Sequence, residues 1–335
     1  MEHLCKKEFI RQEDCDFFEN ELDSFVPDRV FDAHAHLCHP DFLDMTIQGI
    51  PKSFGRDEFF YWIDCLHPGR EVAAYFLPFV WPYTQNCNIS ASNAWVSQHT
   101  STSKNCYGAL YVRAQDDPEW VRQEVKRLGL KGLKCYYSTA QIANPWEAEL
   151  PEYLPEPLVR VADQEGWVIT VHLVKSKAVA DPGNIYWIRK YCKSFPNMKL
   201  ILAHSARGFQ PGNNLEGLGQ LVGLENLFFD TSANCECFAH EVVLKLFGYK
   251  KLLYGSDSPI CSHLRGKNFG VGNGFIWITE DSHKEIWEQG QPNSGKPVLL
   301  GLEHLRALKW ASWSAGLKDS EIEDIFWNNA LRLFV

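Results

Sequence analysis

The sequence contains no apolar run long enough to cross a membrane. No stretch approaches the roughly 18 consecutive apolar residues that a membrane-spanning helix requires, and Met1 to Glu8 carry charges where a secretory signal has an apolar core. A basic stripe is also lacking, since the net charge is −9 and the lysines and arginines are scattered. Such a chain does not suit the phosphate backbone of nucleic acid. We therefore expect a soluble, cytoplasmic protein that binds neither membrane nor nucleic acid.

Cysteine is present, but without the patterns that give it a structural role. The eleven cysteines are odd in number and irregularly spaced, and a chain of this length does not need a disulfide framework. Cys235 and Cys237 stand two residues apart, which is not the CxxC spacing of a zinc motif. Reduced thiols are expected.

Apolar runs of strand length recur along the chain and alternate with longer amphipathic or polar stretches. The eight runs are Arg29–His36, Val72–Pro78, Tyr107–Ala114, Gly132–Tyr137, Trp167–Leu173, Lys199–His204, Asn226–Thr231 and Lys251–Ser256. Continuous apolar runs are typical of parallel strands, which are buried on both faces. Predicted helices lie between them, such as Pro118–Leu128, which has proline in its first turn and ends before Gly129. Eight such units close into a (β/α)8 barrel, so we predict a single α/β TIM-barrel domain spanning residues 1–335.

The chain is longer than the roughly 250 residues of a plain barrel. We assign the surplus to a polar leader, to an excursion from Cys38 to Gly69 after the first strand, and to a stretch from Cys261 to Lys296 after the eighth. Loops of this length commonly carry lids or substrate contacts. Histidines within them, such as His67, are expected to be solvated. Two C-terminal helices, roughly Leu302–Ala315 and Asp319–Phe334, are predicted to follow.

The first run ends with two histidines, His34 and His36, two residues apart. Residues i and i+2 of a strand point to the same side, so both imidazoles can converge on one point. Other runs end with or carry residues of similar chemistry: Lys134 in the fourth, His172 in the fifth, His204 in the sixth and Asp257 after the eighth. The carboxyl ends of barrel strands meet at one mouth, so we expect all six side chains in one cavity. The alternative is a set of unrelated core histidines.

Imidazole nitrogen and carboxylate oxygen suit a divalent cation such as Zn²⁺, which in catalytic sites keeps one position for water. We predict one such metal, held by His34, His36, His172 and Asp257. Water at the metal becomes a nucleophile near neutral pH, and Asp257 can take up and return its protons. His204 is placed to act as acid, base or polariser of a substrate carbonyl. Asp257 and His204 are therefore the candidate catalytic residues.

The ordered set His-x-His, Lys, His, His, Asp resembles that of the amidohydrolase superfamily of metal-dependent TIM-barrel enzymes. The matching pieces are Asp32 to His36, Gly132 to Lys134, Val171-His172, Leu202 to His204 and Tyr254 to Pro259. The C-terminal Asn329 to Phe334 looks like the closing helix of the branch related to aminocarboxymuconate semialdehyde decarboxylase and to lactone hydrolases. The resemblance implies a single metal, usually zinc, on the four predicted ligands, with His204 beside it. In other branches the lysine of the fourth strand is carbamylated and bridges two metals, which leaves a two-metal site open here.

Four residues are candidates for substrate binding, each with an alternative. Lys134 contacts substrate or metal, or forms a salt bridge inside the barrel. Arg207 holds a carboxylate through a bidentate pair, or forms an ion pair in a loop. Trp81 and Tyr136 line the pocket, or pack in the core.

The predicted function is hydrolysis of a small molecule, in which a metal-activated water attacks an amide, lactone or ester carbonyl. The alternative is a non-oxidative decarboxylase of an unsaturated or aromatic carboxylic acid, because the same centre can polarise that substrate. A third possibility is a metal-holding barrel without catalysis. The partner expected is a small-molecule substrate, and a homo-oligomer is possible.

Overall fold

The computed structural model describes residues 9–42, 49–80, 87–283, 285 and 295–335, and eight parallel strands form its central sheet. In chain order these are β1 (Arg29–Leu37), β2 (Glu71–Pro78), β3 (Cys106–Val112), β4 (Gly132–Cys135), β5 (Val168–Val171), β6 (Lys199–Leu202), β7 (Leu227–Asp230) and β8 (Leu252–Leu253). Each strand pairs with the next one along the chain. All eight predicted strands are confirmed, with ends that differ by a few residues.

The sheet closes where the end of β8 meets β1. The amide of Ala33 donates to the carbonyl oxygen of Tyr254 at 2.9 Å, and the amide of Asp257 donates to the carbonyl oxygen of His34 at 2.7 Å. Gly255 permits this approach, because a Cβ at that position would lie 2.7 Å from the Cβ of His34. The predicted (β/α)8 barrel is therefore confirmed.

Aromatic side chains fill the end of the barrel at which β1 begins. The ring of Phe334 stacks on Tyr75 at a centroid distance of 4.1 Å and on Phe31 at 5.6 Å. All three side chains are buried. This packing closes one end of the barrel and leaves the carboxyl ends of the strands for a binding site.

Helices surround the barrel. They are α1 (Gln12–Phe17), α2 (Arg56–Ile63), α3 (Ile89–Thr100), α4 (Pro118–Arg127), α5 (Glu156–Glu165), α6 (Pro182–Ser194), α7 (Pro211–Gly217), α8 (Cys237–Phe247), α9 (Ile260–His263), α10 (Leu300–Ser314), α11 (Asp319–Glu323) and α12 (Asn329–Phe334). The last predicted helix is continuous from α11 to α12 through a π-helical turn, Asp324–Asn328. No helix among the described residues combines the length and apolar character needed to cross a bilayer.

The two predicted excursions contain structure of their own. The first carries α2, and the second carries an antiparallel hairpin of β9 (Gly266–Val271) and β10 (Gly274–Thr279). His67, at the end of the first excursion, is only 1% exposed. The expectation of a solvated side chain there was wrong, because His67 packs against Tyr254 behind the barrel wall.

Candidate metal centre and active site

A cavity of about 500 Å³ opens at the carboxyl ends of the strands. It is lined by the predicted site residues His34, His36, Lys134, Tyr136, His172, His204, Arg207 and Asp257. The aromatic side chains of Phe79, Tyr137, Trp146, Phe209, Phe275 and Trp277 line it as well. Trp81, the remaining predicted substrate contact, lies outside the described residues. The expected convergence of strand ends thus produces one pocket, polar at its floor and apolar on its walls.

Three ligand groups meet at the floor of this pocket. Nε2 of His36 lies 3.0 Å from Oδ1 of Asp257 and 3.2 Å from Nε2 of His34, and the third pair, His34 with Asp257, is 3.5 Å apart. Asp257 reaches this position from a left-handed backbone conformation, with φ 63°. Among the described residues, these are the three groups whose ligand atoms all lie within 4.8 Å of one another.

Hydrogen bonds on the far sides of the two imidazoles fix their orientation. Nδ1 of His34 lies 2.8 Å from Oδ2 of Asp230, and Nδ1 of His36 lies 3.3 Å from the carbonyl oxygen of Leu77. Because an ionised carboxylate and a carbonyl can only accept, each Nδ1 carries the hydrogen. In the neutral rings both Nε2 lone pairs therefore face the cluster.

His204 and His172 form a second pair beside this cluster. Nε2 of His204 lies 3.0 Å from Nδ1 of His172, while Nδ1 of His204 lies 2.7 Å from the carbonyl oxygen of Ser232 and must be its donor. In the neutral pair, His172 then donates from Nδ1 and keeps the lone pair on Nε2. His172 lies outside the set of three mutually close ligand groups, so its role as fourth ligand stays a prediction.

An unusual turn delivers His204 into the pocket. Residues His204, Ser205, Ala206 and Arg207 all have positive φ, between 50° and 61°, a conformation that is unfavourable for residues other than glycine. The side chain of Asp230 holds the turn by accepting from the amide of His204 at 2.9 Å, and Asn234 donates to the carbonyl oxygen of His204 at 3.0 Å. No pattern in the sequence predicts this turn.

Burial controls the charge of the site groups. It lowers the pKa of His34 to about 4 and lowers the pKa values of His36 and His172 as well, so these imidazoles are neutral at pH 7. Burial also opposes ionisation of Asp257, but the close approach of His36 and the other nearby histidines outweighs it and lowers the pKa of Asp257 to about 2. The site thus presents neutral imidazoles and one carboxylate.

Lys134 is the deepest cation of the pocket. Its Nζ is buried without a hydrogen-bond partner and lies 5.4 Å from the centroid of the Tyr136 ring. Burial lowers the pKa of this ammonium, while the carboxylates of Asp230 and Asp257 oppose that shift. The predicted alternative of a direct salt bridge is therefore not what the structure shows. Tyr136 itself stacks on His172 at 4.8 Å.

Asp230 is the functional residue that sequence reasoning missed. It is fully buried and connects the pocket histidines, because it accepts both from the His34 ring and from the His204 amide. A signal was present, since Asp230 ends the seventh strand as Asp257 follows the eighth. Asp32, by contrast, accepts from the amide of Ser256 at 2.8 Å and from the amide of His34 at 3.1 Å. It therefore joins β1 to the segment after β8 and does not contact a ligand imidazole.

The chemistry of the three-group cluster fits a divalent metal. Two Nε2 lone pairs and one carboxylate oxygen stand 3.0–3.5 Å apart, and three acceptors at this spacing repel one another unless a cation or a proton lies between them. Imidazole nitrogen and carboxylate oxygen are ligands that zinc accepts. The hydrogen-bonded Nδ1 atoms supply the outer contacts that metal-binding histidines require.

Comparisons with known proteins agree with this architecture. Residues 90–335 match a family model described as amidohydrolase, while no curated protein matches the sequence. An amidohydrolase from Burkholderia multivorans with bound zinc is 12% identical, with a TM-score of 0.57, over 91% of this chain and 98% of that chain. A probable 2-pyrone-4,6-dicarboxylic acid hydrolase from Acinetobacter baumannii, with citric acid bound, is 15% identical, with a TM-score of 0.56, over 91% and 98%. A 5-carboxyvanillate decarboxylase from Sphingomonas paucimobilis is 13% identical, with a TM-score of 0.55, over 92% and 99%. At such identities the structural likeness shows the fold alone.

Proposed function

Since the chain belongs to the amidohydrolase family, whose members are metal-dependent enzymes, we propose that it hydrolyses an amide, lactone or ester bond of a small molecule. The observation that carries the proposal is the convergence of His34, His36 and Asp257 at the floor of a closed-barrel pocket. His172 is proposed as the fourth ligand, through the Nε2 that its bond to His204 leaves free.

The proposed ion is a single Zn²⁺, and the structurally similar Burkholderia amidohydrolase contains bound zinc. A divalent cation at this position lowers the pKa of a water molecule and withdraws electrons from a carbonyl oxygen. The neutral state of the histidines and the ionised state of Asp257 are the forms that bind such a cation.

The side chains around the cluster supply the proton transfers. Asp257 accepts a proton from the attacking water and returns it to the leaving-group atom, so that water adds across the cleaved bond. Nδ1 of His204 is bonded to the carbonyl oxygen of Ser232, and its Nε2 contacts Nδ1 of His172. His204 is proposed to stabilise the oxygen on which charge develops, a role that requires its Nε2 to take up a proton and to exchange the contact with His172 for the substrate. Lys134, Tyr136 and Arg207 are proposed substrate contacts.

The proposal is tested with purified protein stripped by a chelator and reloaded with zinc. The loaded protein is expected to bind one equivalent of zinc and to hydrolyse at least one member of a panel of lactones, esters and amides. Asp257→Asn keeps the volume of the side chain but cannot accept the proton, so hydrolysis is expected to be lost while the circular dichroism spectrum is retained. Full activity in the stripped protein would refute the proposal.

Decarboxylation is the second candidate. It is supported by the structural likeness to a 5-carboxyvanillate decarboxylase and by the buried, unpaired Lys134 ammonium near the cluster. Measuring carbon dioxide alongside hydrolysis separates the two reactions, because decarboxylation releases the gas without adding water. Bound zinc with neither reaction would instead identify a barrel without catalysis.

A further inference from the structure

Arg207 is a cation on the pocket wall without a counter-ion. Its Nη1 donates to the carbonyl oxygen of Lys175 at 2.8 Å, and its Nε is buried without a partner. No carboxylate of a described residue lies within ion-pair distance of it. Arg113, at the end of another strand, shows the contrast, because its guanidinium is paired with Asp116 at 2.7 Å.

The surroundings of Arg207 are aromatic. The guanidinium carbon lies 5.7 Å from the Trp146 ring centroid and 5.4 Å from that of Phe275. Such contacts orient the planar group and shield it from water, but they do not use its in-plane donors. Burial accordingly lowers the pKa of Arg207, and an anion in the plane of the guanidinium would restore the lost solvation.

Two rows of aromatic rings lead from the site histidines to Arg207. One runs from His172 to Tyr137 at 5.8 Å and on to Trp146 at 4.6 Å. The other runs from His204 to Phe209 at 5.2 Å and on to Phe275 at 4.9 Å. Both rows line the same cavity, so the surface between the histidines and Arg207 is apolar and suits a flat, unsaturated group.

We propose that the substrate carries a carboxylate that Arg207 binds, separated by a flat apolar body from the carbonyl that reacts at the His34, His36 and Asp257 cluster. This inference rests on the proposed function for the reacting end and adds the class of substrate. The carboxylate on Arg207 lies beyond the aromatic rows and is retained in the product. Asp281, an exposed carboxylate that also lines the cavity, does not pair with Arg207.

The test compares two flat lactones that differ in charge, coumarin-6-carboxylate and coumarin-6-carboxamide, binding to chelator-stripped protein by calorimetry. Position 6 lies on the fused benzene ring, away from the lactone carbonyl. Without metal, the carboxylate has no cation at the floor to bind except Lys134. The wild type is expected to bind the carboxylate roughly tenfold or more tightly than the carboxamide, as expected for hydrogen bonds to a charged group. Arg207→Gln is expected to bind both lactones within about twofold of each other.

Matched variants locate the carboxylate. Arg207→Lys keeps the positive charge but lacks the planar guanidinium, so it should lose most of the preference for the carboxylate. This variant replaces Arg207→Gln in the test if Arg207→Gln does not fold. Arg160→Gln removes an exposed arginine paired with Glu156 and should behave as the wild type. Lys134→Met should keep the preference for the carboxylate. If Lys134→Met loses this preference while Arg207→Gln keeps it, the carboxylate binds Lys134 and the proposed role of Arg207 is wrong.

Zinc-loaded protein then separates this inference from the proposed function. If the protein binds the carboxylate more tightly than the carboxamide but hydrolyses neither lactone, the result supports the carboxylate site and counts against the proposed hydrolase. If the protein binds both lactones equally and hydrolyses both equally, the result supports the proposed hydrolase and overturns the carboxylate site. Failure of the carboxylate to bind at millimolar concentration would overturn it as well.

Discussion

Two groups of buried histidines occupy this barrel, and they differ in what their ring nitrogens contact. The site histidines are His34, His36, His172 and His204, and the packing histidines are His67, His240 and His304. His34, His36 and His172 each have one nitrogen bonded to a neighbour and the other facing the pocket, while His204 bonds Nδ1 to Ser232 and Nε2 to His172. By contrast, His240 uses both nitrogens within the fold, with Nδ1 2.7 Å from Oγ of Ser205 and Nε2 2.9 Å from the carbonyl oxygen of Asn234.

The difference shows that burial by itself does not mark a histidine of the candidate metal site. None of the packing histidines belongs to a group of three ligands within the described part of the chain. His304 has both ring nitrogens buried without a partner, and it stacks on the Tyr254 ring at 5.7 Å. What distinguishes His34 and His36 is an outer acceptor, Asp230 or the carbonyl oxygen of Leu77, that fixes Nδ1 and so directs the Nε2 lone pair to a shared point.

Asp230 gives the sharpest test of this comparison, because it is the outer acceptor of His34. Asp230→Asn replaces a carboxylate, which only accepts hydrogen bonds, with an amide, which also donates them. The hydrogen bond from Nδ1 of His34 should therefore weaken. Zinc affinity is expected to fall roughly 10- to 100-fold, with a matching loss of hydrolysis at limiting zinc that excess zinc partly restores. A competitive chelator titration measures the affinity.

The control for Asp230→Asn is Asp163→Asn. Asp163 also accepts from backbone amides, that of Asn197 at 2.7 Å and that of Met198 at 3.2 Å, but it lies away from the pocket. Its variant should bind zinc as the wild type does. Equal zinc affinity in the Asp230 variant and the wild type would mean that orientation of His34 does not depend on this carboxylate.

A packing histidine should give the opposite result. His240→Leu leaves Oγ of Ser205 and the carbonyl oxygen of Asn234 without their partner, and each buried group left unsatisfied costs about 1–3 kcal/mol of unfolding free energy. The protein should still bind one equivalent of zinc. Urea unfolding and metal analysis of the same preparation check both parts, and loss of zinc with unchanged stability would reverse the distinction between the two groups.

The parts of this structure that the sequence predicted are those with a local signal. Strands buried on both faces appear as continuous apolar runs, and the site residues at their ends follow from barrel geometry. Helix α3 has a weaker local signal, because Ser92, Asn93 and Thr100 occupy buried positions on it and hide its amphipathic period. The ion pair of Arg113 has a local signal, because Asp116 stands only three residues after it, whereas the rings beside Arg207 come from Trp146 and Phe275, far away in the sequence.

The smallest expected effect is a pH dependence of stability that the packing histidines produce. Burial lowers the pKa of His67 to about 3 and that of His240 to about 4, and it holds the pKa of His304 well below its ordinary value. In the unfolded chain each histidine titrates near pH 6.5. Below that pH only the unfolded state takes up these protons, so the folded state loses stability as the pH falls, until about pH 4 for His240 and about pH 3 for His67.

Each of these histidines contributes at most about 1.4 kcal/mol of unfolding free energy per pH unit. Urea unfolding of chelator-stripped protein between pH 8 and pH 5 measures the total dependence, to which the buried site histidines add in the same direction and Asp32, whose pKa burial raises to about 7, adds in the opposite direction. His240→Leu isolates one contribution, because the variant has no proton to gain at that position when it unfolds. Its stability should therefore fall less steeply with pH than that of the wild type, and the gap between the two proteins should narrow below pH 6.5. Parallel pH profiles would show that His240 is protonated as readily in the folded barrel as in the unfolded chain, and would contradict the lowering of its pKa by burial.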